Sequence, residues 1–386
     1  MPAASSARGI RPHGRGPHGH REWTTGRRGV RFPHDGPLVT RQSIFILRPS
    51  GERQPARRPT RRRAGGSRRQ VSLRMSSKWK DLPTEAINPA SLALDQASTE
   101  DMIDLMLRED RKILTAVARE RARIATASDL ITASLHKGGR LIFVGAGTSG
   151  RLGVLEAAEM GPTFSTPAHL VQAIMAGGRA AFFRSQAGVE DNFEEGARAV
   201  ARLHPTRRDA LVGISASGMT QFVRGALTRA RRNGVKIVFV TCWPGTELQT
   251  FVDIVISPAV GPEVIAGSTR LKAGTATKMV LNMLTTVAMV HLGKTYGNLM
   301  VDVDAGSEKA RDRARRIITT VTGLDHEEAG ELLNRAQWNV KAAIVMAHAR
   351  VGYSESLARL KQANDSVRAA IGEESDGRLR RTIDPR

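Results

Sequence analysis

The sequence predicts an α/β fold of the doubly wound type, in which a five-stranded parallel sheet is sandwiched by helices. A disordered basic leader precedes it and a small C-terminal helical bundle follows. Three observations carry this expectation. Five short runs rich in Val, Ile, Leu and Phe recur between residues 141 and 256, apolar throughout rather than alternating, as in strands buried on both faces. Segments of helical character separate them, the order expected of a parallel sheet with crossover helices. Loops rich in glycine and hydroxyl residues follow directly on the first and third runs, where open α/β sheets bind ligands.

The 386 residues suit one large domain with accessories, or two domains. A net charge of +22 would point to nucleic acid if the folded part carried it. Most of it lies instead in residues 1–74, which hold 18 Arg, no Lys and three acids, Glu22, Asp35 and Glu52. The remaining body is mildly basic and is expected to bind no nucleic acid. Runs such as Arg57-Arg58-Pro59-Thr60-Arg61-Arg62-Arg63 offer too little apolar surface to offset ordering entropy, so residues 1–74 read as a disordered leader. Three origins compete: a nucleic-acid-binding arm, an organellar transit peptide, and an upstream reading frame joined to a protein starting at Met75. The many Pro and Gly residues weaken the transit reading and favour the last. No run approaches the roughly 20 apolar residues of a membrane span. The single Cys242 excludes a disulfide framework and a cysteine-based zinc site, and the ten His show no ligand spacing. No metal and no cofactor are therefore expected, and a cytoplasmic location fits.

In chain order, residues 75–130 read as an N-terminal helical segment. Ser98 followed by Asp101 is a helix-start signal, and Met102, Leu105, Met106, Ile113 and Val117 mark one face. Residues 131–295 form the sheet domain. A second helix stops at His136-Lys137-Gly138-Gly139. The strands are expected at Leu141–Val144, Leu170–Ile174, Ala210–Ile214, Lys236–Val240 and Ile254–Ile256, with helices after Arg151, Val189 and Met219. Residues 270–292 read as one long helix, since Leu271, Val280, Leu281, Leu284 and Val287 recur at helical spacing. Residues 296–370 form a helical region with three short helices at about 320–370, and residues 371–386 a charged tail.

The first chemical motif is Gly145-Ala146-Gly147-Thr148-Ser149-Gly150-Arg151. It satisfies the G-x-G-x-x-G pattern of dinucleotide sites, but the second strand ends in Ile174-Met175-Ala176-Gly177-Gly178, without the acid that would bind a ribose. Thr148 and Ser149 beside the N–H groups of a helix start make an anion site suited to a phosphate monoester; a capped glycine turn is the alternative reading. Ser215-Ala216-Ser217-Gly218-Met219-Thr220 repeats the arrangement after the third strand, with helix capping by Ser217 or Thr220 as the competing explanation.

This pair of loops resembles the sugar isomerase (SIS) domain, a phosphosugar-binding α/β sandwich, with Ser215, Ser217 and Thr220 in its phosphate loop. Two longer stretches are similar to the N-acetylmuramic acid 6-phosphate etherase family. They are Gly145 to Leu155 and Gly261-Pro262-Glu263-Val264-Ile265-Ala266-Gly267-Ser268-Thr269-Arg270-Leu271-Lys272-Ala273-Gly274-Thr275-Ala276. The second also marks the related glucokinase regulatory proteins. Asn88-Pro89-Ala90-Ser91 and Tyr296-Gly297-Asn298-Leu299-Met300-Val301-Asp302 match as well, so the resemblance spans about residues 84–370.

The resemblance implies cleavage of the D-lactyl ether of N-acetylmuramic acid 6-phosphate, giving N-acetylglucosamine 6-phosphate and D-lactate, a step of cell-wall sugar catabolism and recycling. In the family it proceeds by elimination from the open-chain aldehyde and then addition of water. The catalytic acids fall on Glu159, in Leu155-Glu156-Ala157-Ala158-Glu159, and Glu190, in Gly188-Val189-Glu190-Asp191. Gly147, Thr148, Ser149, Ser215, Ser217, Thr220 and Glu263 are expected to bind substrate or line the site, and a homodimer is implied. A catalytically silent sugar-phosphate-binding regulator is the runner-up reading; it would be expected to carry two such domains and to tolerate loss of either acid. The chain departs from the family pattern at Met219, where Arg is usual, at Met160-Gly161-Pro162, where Cys-Pro-Pro is usual, and at Ile87, which replaces Arg.

Overall fold

Each of the five apolar runs forms a strand: β1 (Leu141–Gly145), β2 (Val171–Met175), β3 (Ala210–Ile214), β4 (Lys236–Val240) and β5 (Ile254–Ile256). The computed structural model describes residues 82–303 and 305–373. The expectations for residues 1–74 and for the tail beyond 373 lie outside the described residues. The strands pair in the order β2-β1-β3-β4-β5, all parallel. The helices around them are α1 (Thr99–Arg119), α2 (Arg121–His136), α3 (Gly147–Phe164), α4 (Gly178–Phe183), α5 (Phe193–Arg202), α6 (Gln221–Arg232) and α7 (Lys272–His291).

All residues of β1 and β3 are buried, which is why these runs carry no polar alternation. Leu141 and Phe143 join one core with α1, α2, α3 and α7, while Ile142 and Val144 join a second with α5 and α6. The chain leaves β1 through α3 toward the edge strand β2, then returns past β1 to β3 and leaves through α6 on the opposite face. The direction of winding therefore reverses between β1 and β3. Their carboxyl ends border the crevice that such a reversal opens.

Helix α1 starts behind Ser98, which accepts from the Asp101 N–H, and α6 starts two residues after Met219, but two crossover helices begin elsewhere than at their expected markers. The first crossover helix already starts at Gly147, and α5 starts at Phe193 behind a separate 3-10 turn over Val189–Asp191. Beyond the sheet, β6 (Thr295–Tyr296) and β7 (Leu299–Met300) form a hairpin around Gly297, whose φ of +57° the turn requires. The stretch expected to hold three short helices, about 320–370, holds α9 (His326–Arg335), α10 (Val340–Ala349), α11 (Tyr353–Gln362) and the one-turn α12 (Val367–Ala370), and α8 (Glu308–Thr322) precedes them. They share one core with Val301 and Val303. The first half of α8 is rich in charge and its buried residues are Ala314, Ile317 and Ile318, so apolar spacing alone understates its length.

Helix α1 buries Leu105, Ile113 and Val117, but Met106 is exposed, and one position on the buried face is a carboxylate, Glu109. Its Oε2 lies 2.5 Å from the Lys272 ammonium, which is 2% exposed at the start of α7. Lys112 adds a side-chain hydrogen bond to Glu109, and the Asn88 amide nearby helps to hold the carboxylate charged. Asn88 also accepts from the Ala90 N–H at 3.0 Å and donates to the Pro262 carbonyl at 3.2 Å. Around the same point Glu263 accepts the N–H groups of Lys272 and Ala273 at 3.0 and 2.9 Å, filling the start of α7, where Leu271 provides no side-chain cap. Burial pushes the Glu263 carboxyl up, against the pull of those two N–H groups.

For Glu109 burial also acts upward, but Lys112, Lys272 and the Asn88 amide outweigh it and hold the carboxyl at about 2. A folded-state value below the ordinary 4.5 contributes stability that is fully present above the unfolded value and is lost as pH falls from about 4.5 to about 2. The contribution is on the order of 3 kcal/mol. In thermal melts between pH 7 and pH 2, Glu109→Gln is expected to lower Tm at neutral pH and to flatten the loss between pH 4.5 and 2. A variant whose acid limb matches the wild type would contradict this role.

Candidate active site

Ala146 and the first turn of α3 form the loop after β1. Gly145 and Gly150 make it tight: a Cβ on Gly145 would lie 2.7 Å from the Gly150 nitrogen, and one on Gly150 would lie 2.8 Å from the Gly145 oxygen. Gly147 has a φ of +54° and is exposed. The half-buried Thr148 and Ser149 follow it, and their hydroxyls have no hydrogen-bond partner among the described residues. Ala146 supplies no side-chain cap, so both the first N–H groups of α3 and these hydroxyls remain available for an anion.

Residues 215–220 stand beside this loop, because Gly145 and Ile214 are register partners at the ends of β1 and β3. Ser215 is buried and its Oγ lies 2.8 Å from the Thr220 Oγ1. Thr220 occupies the position before α6 without capping it, and Ser217 Oγ accepts from the Met219 N–H at 3.3 Å. Thr220 therefore does not cap α6, so that alternative fails for it. The carbonyl of Ala216 is held by the Cys242 N–H at 3.0 Å. Cys242 is packed in the core beneath this loop, and burial pushes its thiol up to about 12.

The third segment, residues 261–271, closes on the first loop. A Cβ at Gly274 would lie 3.6 Å from the Thr148 methyl and 3.5 Å from the Thr269 carbonyl. Gly267, with a φ of +77°, donates its N–H to the Thr84 carbonyl at 3.0 Å. Glu263, expected to line the site, is 1% exposed and engaged in holding α7, so its place is behind the site.

Glu159 is exposed on α3, twelve residues beyond Gly147, or roughly 18 Å along the axis at 1.5 Å per residue. Glu190 is exposed in the 3-10 turn over Val189–Asp191, which packs against α6. Neither carboxylate has an ion pair or hydrogen bond among the described residues. The single chain thus gathers the hydroxyls of both loops but leaves the two acids on its surface.

Three contacts near these loops went unread in the sequence. Arg151 spends its guanidinium on the Phe182 and Ala181 carbonyls, at 2.8 and 2.6 Å, and so ties α3 to the end of α4. Glu156 is buried and bonded by the Thr285 hydroxyl and, at 3.5 Å, by Lys278. The third is the Glu109–Lys272 pair. The one local signal was Asn88 before Pro89, a turn-forming pair.

Comparison with known proteins identifies the family. The profile of the glucokinase regulatory protein N-terminal SIS domain matches residues 123–231, and that of the SIS domain matches residues 188–287. N-acetylmuramic acid 6-phosphate etherase of Rubrobacter xylanophilus is 50% identical over 299 residues, covering 78% of this chain and 99% of the relative. That of Thermosynechococcus vestitus is 52% identical over 265 residues, covering 69% of this chain and 86% of the relative. The chain belongs to the N-acetylmuramic acid 6-phosphate etherase family.

Of the departures from the family pattern, Ile87 is an exposed apolar side chain, Met219 is half-buried within the second loop, and Met160 is buried in the core. None removes a loop hydroxyl. Hydrogen bonds to a charged group are worth roughly 1.5–3 kcal/mol. Ser217→Ala and Thr148→Val are accordingly expected to raise the Michaelis constant about tenfold or more, with inorganic phosphate competing in the wild type. Unchanged constants in both variants, without phosphate inhibition, would remove these loops from the site.

Proposed function

We propose that this chain acts on N-acetylmuramic acid 6-phosphate, releasing D-lactate and N-acetylglucosamine 6-phosphate. The observation that carries the reading is the meeting of two hydroxyl loops at adjacent strand ends, in a chain of this family. The phosphate sits on the hydroxyls of Thr148, Ser149, Ser217 and Thr220 and on the first N–H groups of α3, with Gly147 leaving the approach clear and Ser215 holding Thr220 in place.

The chemistry needs two carboxyl groups of opposite protonation. In the open-chain aldehyde the C1 carbonyl acidifies the C2 hydrogen, so the Glu190 carboxylate removes that proton. The C2 electrons form the C2–C3 double bond as the bond from C3 to the lactyl oxygen breaks, and Glu159 gives that oxygen its proton. Water then adds at C3 and C2 is reprotonated, which restores both acids. Reacting groups require only acid–base catalysis and phosphate binding, both supplied by side chains and backbone of the chain.

Because both acids are exposed in the single chain, a covering surface is needed, and a homodimer provides one. Ile103, Leu107 and Leu114 form an exposed apolar stripe on α1, with Ile87 and Leu92 exposed upstream of it. Sedimentation is expected to give the mass of two chains and Leu107→Glu the mass of one; a wild type with the mass of one chain at micromolar concentration would refute the pairing. No helix among the described residues is long and apolar enough to cross a membrane, and the cytoplasm is the proposed location.

The roles of the acids are tested in deuterated water. Glu159→Gln is expected to stop lactate release while still exchanging the C2 hydrogen, since carbanion formation needs only the base. Glu190→Gln is expected to abolish both, each loss amounting to about 10²–10⁴-fold. An inverted exchange pattern would swap the assignments, and normal lactate release by both variants would overturn them.

A further inference from the structure

The substrate in this reading carries a lactyl carboxylate besides its phosphate, and a desolvated carboxylate needs a cation or donors of its own. The cations around the three loops are mostly committed. Arg151 is bonded to the Ala181 and Phe182 carbonyls, Lys272 to Glu109, and Lys278 to Glu156 and Asn282. Positions 87 and 219, in the N-terminal segment and in the second loop, are Ile and Met and supply no cation.

Arg270 differs from all of these. It is exposed and has no ion pair or side-chain hydrogen bond among the described residues. It lies two residues before the start of α7, whose first turn reaches Thr148 through Gly274. The backbone on both sides of it is pinned: Leu271 donates its N–H to the Ser268 carbonyl at 3.2 Å, Gly267 is bonded to Thr84, and Glu263 holds the N–H groups of Lys272 and Ala273. A guanidinium on an anchored loop beside the phosphate site is suited to bidentate carboxylate binding. Arg179 and Arg184 are also exposed and unpaired, but they belong to α4 and its end, which Arg151 ties to α3, and not to the segment that meets Thr148 at Gly274.

We propose that Arg270 binds the lactyl carboxylate and is the residue by which the site distinguishes its substrate from the lactate-free sugar phosphate. The inference rests on the etherase reading. N-acetylglucosamine 6-phosphate keeps the phosphate and the amide but lacks the carboxylate, so it separates the two contributions.

In the full-length enzyme, Arg270→Ala is expected to raise the Michaelis constant for N-acetylmuramic acid 6-phosphate about tenfold or more. The inhibition constant of N-acetylglucosamine 6-phosphate should stay unchanged, and Arg270→Lys should recover part of the loss. Three results would overturn the proposal: a Michaelis constant that does not move, both constants rising together, or the split appearing in Arg179→Ala or Arg184→Ala instead. Should the wild type release no D-lactate, the etherase reading itself fails. Calorimetry then compares the two sugars, and equal binding of N-acetylmuramic acid 6-phosphate by wild type and Arg270→Ala dismisses Arg270 separately.

Discussion

A lysine ammonium that is 2% exposed cannot remain charged in a protein interior without a counter-charge, and the Lys272–Glu109 pair supplies it. That constraint joins α1 to the start of α7. Asn88, whose amide favours the Glu109 carboxylate, brings the segment before α1 to the same region and donates to the Pro262 carbonyl. Glu263 then holds the first turn of α7 from the other side. The segment 261–271 is thereby fixed at both ends, and Thr148 meets α7 at Gly274. Removing one partner of such a pair leaves a buried charge exposed to the full desolvation cost, so these residues specify one arrangement of three distant stretches of chain.

Much of the sheet was legible because its physics is local. Runs buried on both faces have no polar alternation, and β1, β3, β4 and β5 stand where those runs are. The C-terminal helices were harder, since α8 buries alanine and two isoleucines within a charged sequence. The β6–β7 hairpin was missed although Gly297-Asn298 marks its turn; two residues per strand are too few for periodicity to register. On α1, helical spacing placed Met106 inside, while the buried line runs through Glu109, whose burial makes sense only with Lys272, 163 residues away, beside it.

The site divides the same way. Hydroxyls after β1 and β3 could be read from the sequence because strand-to-helix loops of a parallel sheet share one edge. What could not be read was which hydroxyls are already occupied: Ser215 and Thr220 bond each other, whereas Thr148 and Ser149 have no partner among the described residues. Glu263 looked like a member of the site from its dense motif, yet its carboxylate is taken up by two backbone N–H groups. Likewise Arg151, adjacent to the phosphate loop in sequence, turns to two carbonyls at the end of α4. In each case a hydrogen-bond pairing that residue type alone does not reveal, whether five residues away or 31, decides what the side chain is free to do.

The proposed activity turns on one step, the breaking by elimination of the bond between C3 of the sugar and the lactyl oxygen, followed by addition of water at C3. The most direct measurement is to incubate the protein with N-acetylmuramic acid 6-phosphate in ¹⁸O-labelled water and to analyse both products by mass spectrometry. Label is expected in the C3 hydroxyl of N-acetylglucosamine 6-phosphate, with none in D-lactate beyond carboxylate background. Label at the lactate C2 hydroxyl, or no D-lactate at all, would contradict it.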